Sequence, residues 1–141
     1  MTVEYRILYN NFAAIARELP RAASRIVRET AAEMVTDIQA GMQGPHSGRV
    51  YGDHVASAPG EMPAVDTGNL IGSLAIEGDP NSTQATVYVT PEYAVALEVG
   101  SPQNGIEPRP FMAPAAERAT PEFQRKMAHL EDELRRGNLN R

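Results

Sequence analysis

PRAASRIVRETAAEMVTDIQAGM, residues 20–42, decides the fold. In it Ala23, Ile26, Val27, Thr30, Ala31, Met34, Val35, Ile38 and Met42 recur at steps of three and four. Arg21, Arg25, Arg28, Glu29, Glu33 and Asp37 hold most of the remaining positions. This spacing follows the 3.6-residue turn, so it predicts an amphipathic helix of about six turns that lays one face on the rest of the chain. Pro20 suits its first position, where a missing N–H costs nothing. Gly41 is the expected end. The stripe is wider than a two-position coiled-coil seam, so it reads mainly as core, with part available as an oligomer contact.

Upstream, Val3, Tyr5, Ile7 and Tyr9 alternate with more polar neighbours in the manner of a short strand. Asn10 is a candidate cap for a first helical turn that stacks Phe12, Ile15, Ala16 and Leu19. Downstream, Gly41, Gly44, Gly48, Gly52, Gly60 and Gly68 with Pro45, Pro59 and Pro63 break every period. A long flexible loop over residues 41–68 is therefore expected, and a loop of that length is commonly functional.

Leu70 to Glu77 then reads as a strand, Asp79-Pro80-Asn81-Ser82 as a turn, and Ala85, Val87 and Val89 as alternate positions of a second strand. Tyr93, Ala94, Leu97 and Glu98 share one face of a short helix ended by Gly100. Thr120-Pro121-Glu122 reads as the start of the last helix, with Phe123, Met127, Leu130 and Leu134 on one side. Residues 137–141 form an expected frayed tail. The whole predicts an α+β fold in one domain, residues 1–141, in which a long N-terminal helix and a C-terminal helix pack on a small antiparallel β-sheet.

The chain has 141 residues, 42% of them hydrophobic, and no cysteine, which excludes disulfides and thiol catalysis. Its net charge of −5 is uneven. Residues 1–49 carry six arginines against five acids, and residues 111–141 carry six basic residues against five acids. Residues 50–110 set Arg109 alone against eight acids, Asp53, Glu61, Asp66, Glu77, Asp79, Glu92, Glu98 and Glu107. An acidic middle argues against a grip on nucleic acid, which needs a basic patch to displace phosphate counterions. The first residues show no basic segment followed by an apolar run, and no apolar stretch approaches the ~18–20 residues that cross a bilayer. A soluble chain made in the cytoplasm is expected.

Asp66-Thr67-Gly68 matches the active triplet of retroviral-type dimeric aspartic proteases, which is the alternative from another functional class. That chemistry needs two carboxylates sharing a proton at the tip of a hydrophobic strand. Here Asp66 follows Gly60-Glu61-Met62-Pro63-Ala64-Val65, a loop approach, and Asn69 replaces the small residue usual after the glycine. The better account has Asp66 or Thr67 capping a turn, with Gly68 supplying the backbone angle. His46, Asp53 and His54 lack the rigid spacing of metal ligands and read as solvated loop residues, and His129 as a surface residue. No phosphate-binding glycine pattern is present. No catalytic residue, metal ligand or cofactor site is assigned, so the chain is expected not to be an enzyme.

Three further blocks point elsewhere. They are Val65-Asp66-Thr67-Gly68-Asn69-Leu70-Ile71-Gly72-Ser73-Leu74, Tyr93-Ala94-Val95-Ala96-Leu97-Glu98-Val99-Gly100, and Pro108-Arg109-Pro110-Phe111-Met112-Ala113-Pro114-Ala115. In this order behind a long helix they resemble the neck and tail-completion proteins of long-tailed bacteriophages, also called minor tail or head–tail joining proteins. The resemblance spans about residues 20–136. Its pattern lies in Asp66, Thr67, Gly68, Leu70 and Ser73, then Tyr93, Ala94, Glu98 and Gly100, then Pro110 and Phe111. Val99 stands where Phe is common in that family, and Ser101 where Thr is common.

The resemblance implies a homo-oligomeric ring, usually of six copies, at the head–tail junction of the virion. Its partners would be portal-adaptor and tail-tube proteins, with DNA passing through the lumen unbound and no membrane or cofactor involved. A tail terminator capping the tube is the alternative within that class. An acidic segment facing the lumen would repel a passing duplex.

Overall fold

The computed structural model describes the backbone of residues 12–137 and the side chains of residues 17–137. The strand expected at residues 3–9, the Asn10 cap and residues 138–141 lie outside the described residues. The elements run α1 (Phe12–Gln43), β1 (Val50–Tyr51), β2 (His54–Val55), α2 (Asn69–Gly72), β3 (Ala75–Glu77), β4 (Thr86–Tyr88), α3 (Tyr93–Val99) and α4 (Met112–Arg136), with a 3-10 turn at Pro102–Asn104. The fold is α+β as expected, but the strands form two antiparallel pairs, β1–β2 and β3–β4, rather than one sheet.

Helix α1 is the hub. Its stripe buries Ala31, Ile38 and Met42, together with Ser24. Hairpin β3–β4 lies against it, and α4 runs antiparallel along it. Ion pairs Arg118–Asp37 at 2.7 Å and Lys126–Glu33 at 2.8 Å mark that pairing along the exposed border. Ile38 and Met42 meet Leu70, Ala94, Phe111 and Ala115 in the core, with Met34, Met62, Val65 and Leu97 among the half-buried residues around them.

The β3–β4 pair sets Ala75 opposite Tyr88, Ile76 opposite Val87 and Glu77 opposite Thr86. Its turn falls on Asp79–Ser82 as expected, closed by the Ser82 amide on the Asp79 carbonyl at 2.9 Å. The Pro80 carbonyl accepts hydrogen bonds from Ser24 Oγ at 3.0 Å and Arg28 Nη1 at 3.2 Å, which explains a serine buried on an otherwise apolar stripe.

Both long helices ignore their prolines. Pro20 was expected to open a helix and Pro121 to follow a cap, yet each lies inside one. An interior proline removes one hydrogen bond and crowds the preceding turn, at a cost of about 3 kcal/mol. Packing on both sides overrides that cost in α4, because Ala115 before Pro121 and Leu130 after it are both buried. Thr120 does not cap; its hydroxyl donates to the Ala116 carbonyl at 2.7 Å within the helix. Pro121→Ala should therefore raise stability by about 1–3 kcal/mol in urea denaturation. A loss of stability would show instead that α4 needs a bend there.

The remaining differences have local causes. Helix α1 passes through Gly41 to Gln43, and Gly44-Pro45 stops it. At Gly41 a Cβ would overlap the Met62 sulfur, so the glycine serves a crossing rather than an end. The strand expected from Leu70 is a helical turn over Asn69–Gly72, and regular pairing begins at Ala75. Leu70 points into the core there, and the Ser73 hydroxyl closes the turn on its carbonyl at 2.8 Å. Within residues 41–68, where no regular structure was expected, Val50 pairs with Val55 and Tyr51 with His54. No helix among the described residues is long and apolar enough to cross a membrane.

Candidate functional site

The three sequence blocks converge on one joint, where α3 meets the start of α4. Pro91 frees the chain from β4, and α3 follows with Ala94 buried and Leu97 half-buried against the core. Gly100 ends α3 at φ 80°, ψ 166°, a conformation essentially confined to glycine. A Cβ at that position would stand 2.9 Å from Pro108 Cδ, so the glycine also permits the chain to fold back closely. Residues 101–106 close a small loop through reciprocal Ser101 and Ile106 backbone hydrogen bonds at 2.8 and 3.0 Å. The returning chain is pinned by the Arg109 amide on the Leu97 carbonyl at 2.6 Å.

Glu98 is the centre of the joint. Its carboxylate accepts from the amides of Phe111 at 2.8 Å, Met112 at 3.0 Å and Ala113 at 2.8 Å. These residues open α4, and the first four N–H positions of any helix lack an internal acceptor. The fourth position here is Pro114, which has no N–H to satisfy. One remote carboxylate therefore satisfies every donor of the helix start, and its negative charge faces the positive end of the helix dipole. Phe111, 1% exposed, enters the core directly beside it.

The other motif residues serve the same joint. Thr67 Oγ1 accepts a long hydrogen bond from the Asn69 amide at 3.4 Å, and Gly68 at φ 83° supplies the left-handed step before α2. This is the turn role expected of them, though it opens a helical turn instead of a strand. Asn69 Nδ2 donates to the Tyr93 hydroxyl at 3.0 Å, which ties the first block to the second. Leu70, Ala94 and Phe111, one from each block, are buried in the same cluster. Pro110 is half-buried at the entry to α4.

Asp66 stands apart from that core. It is exposed and borders an open cavity of about 480 Å³ that Thr67, His54, Tyr93, Leu97 and Arg109 also line. With its oxygens occupied by three amides, Glu98 is a structural acceptor. Among the described residues no three His, Asp or Glu side chains gather as metal ligands.

A second polar cluster escaped the sequence. His46, expected to be solvated, has a side chain only 7% exposed. Its Nε2 hydrogen-bonds the Met42 carbonyl at 2.9 Å near the end of α1, and its Nδ1 lies 3.6 Å from Glu61. Glu61 in turn accepts from the Ser47 hydroxyl and from the amides of Ala58 at 2.8 Å and Ser47 at 3.1 Å. Hydrogen bonding from the Ser47 hydroxyl, then from the two amides, holds the Glu61 carboxyl down at about 2, against an ordinary 4.5. A value lowered by folding stabilises fully above pH 4.5 and loses that contribution as pH falls toward 2. Glu61→Gln should therefore lower the Tm at pH 7 and converge with the parent near pH 2. A gap that stays constant across that window would contradict this role.

Arg109 joins the two clusters. Its Nε donates to the carbonyl of buried Ser57 at 3.2 Å, and the Gly60 amide donates to the Pro108 carbonyl at 3.0 Å. The signal for these ties lies in side-chain-to-backbone pairs far apart in sequence, which periodicity does not register. Compared with protein-family models, with curated proteins and with solved structures, the chain finds no match in any of the three.

Proposed function

We propose that this chain is a structural subunit of the head–tail connection of a long-tailed bacteriophage, acting by self-assembly into a ring. The observation that carries the proposal is the convergence of the three family-like blocks on a single joint. Glu98, Gly100 and Phe111 are matched to one another as a helix cap, a fold-back and a core anchor. Such a constellation fixes a shape, as an assembly subunit requires, and leaves no catalytic pair at its centre.

The ring would join portal and tail tube or complete the tube itself, and would let DNA pass without gripping it. Asp53, Asp66 and Glu77 are exposed and available to line such a lumen, whereas the Glu61 carboxylate is committed to Ser47 and Ala58. A ring reconstruction with those three acids on the outer wall would sink the lumen assignment.

Antibody raised against the chain should label virions of the parent phage at the junction of head and tail. Labelling along the tube, or none, would count against the proposal. Peptide cleavage abolished by Asp66→Asn would instead favour the protease alternative.

A further inference from the structure

Two apolar surfaces of this chain face solvent on different elements. In the β1–β2 hairpin, Val50, Tyr51 and Val55 are 64%, 55% and 38% exposed. The register places Val50 opposite Val55 on one face of the hairpin and Tyr51 opposite His54 on the other. Isolated two-stranded hairpins have little stability of their own, so an arm this short with valines in water is better served by a partner. On α3, Val95 and Val99 are 68% and 67% exposed and lie one turn apart, opposite the face that buries Ala94. Glu92 precedes Val95 by three residues and extends that stripe.

The two surfaces carry opposite charges. Arg49 adjoins Val50 and sits over the Tyr51 ring at 5.1 Å. Neither Arg49 nor Glu92 enters an ion pair among the described residues. Both surfaces stay exposed in the single chain, so they do not cover each other there. Each copy thus offers one projecting apolar-basic arm and one flat apolar-acidic face in equal number. Unlike patches on one chain pair head to tail, and such contacts close into a ring when the rotation per copy permits.

We propose that the β1–β2 hairpin of one copy docks Val50 and Val55 onto the Val95–Val99 face of α3 in the next copy, with Arg49 meeting Glu92. The proposal rests on the ring assembly above and names its interface.

The chain has no cysteine, so Val50→Cys and Val99→Cys can be introduced singly and together at these exposed sites. A disulfide requires Cα atoms about 4.4–6.8 Å apart, which only residues in direct contact provide. Under mild oxidation, the double variant should give a ladder of linked oligomers on a non-reducing gel, and each single variant should run as a monomer. Replacing Val50 by Ser in the parent should weaken assembly about 10-fold, as expected for exposing one buried valine.

Cross-linking by a single variant equal to that of the double would overturn the head-to-tail pairing. So would the absence of a ladder from protein that microscopy shows assembled, and in that case the ring itself would stand. Protein that neither assembles nor cross-links would overturn both.

Discussion

Phe111→Ala should cost about 3–5 kcal/mol, the range for truncating a buried aromatic side chain. Phe111 is the largest of the side chains under 2% exposed, and it touches the cluster that joins α1, α2, α3 and α4. Its neighbours Ile38, Met42 and Ala115 project from helices fixed elsewhere by their own packing, so they can close little of the cavity left behind. The loss is large against a total stability of ~5–15 kcal/mol. Urea denaturation should show a lower midpoint with an unchanged slope. A cost below about 1 kcal/mol would mean that the blocks do not depend on this anchor.

Glu98→Ala should cost about 2–3 kcal/mol. Hydrogen bonds to a charged group contribute about 1.5–3 kcal/mol each when buried, and loss of a helix cap costs about 0.5–2 kcal/mol. Three amides lose their acceptor together, but they lie near enough to the surface for water to replace part of it. Glu98→Gln keeps one acceptor oxygen and should cost roughly half as much. The position of the loss is as diagnostic as its size: amide exchange should quicken at residues 111–115 before it quickens at the far end of α4. Uniform acceleration along α4, or none at its start, would remove Glu98 from its role as the cap.

These two residues also show where the sequence was legible. The α1 face could be read because one period persists over six turns, and tertiary packing then buried Ala31, Ile38 and Met42 as that period requires. The β3–β4 hairpin was legible from its turn chemistry at Asp79–Ser82. The start of α4 was not. Thr120-Pro121-Glu122 is a sound local cap, but Glu98, 13 residues from Phe111, supplies a stronger one through space. Local rules see neighbours in sequence and miss a carboxylate delivered by another helix.

The same limit hid His46, Glu61 and Arg109, whose partners are backbone groups brought near by the fold. Strands of two residues, as in β1–β2, are too short to show any period. The motif residues were found through a family resemblance, and the structure supplies the physical task of each: Gly100 for the fold-back, Glu98 for the cap, and Leu70, Ala94 and Phe111 for the core. Asp66 alone of the eleven makes no such contribution, which leaves its exposed carboxylate to surface work.

Electron microscopy of the purified chain at high concentration tests the central claim most directly. The account predicts closed rings of uniform copy number with a central opening. A chain that remains monomeric at every concentration would contradict it.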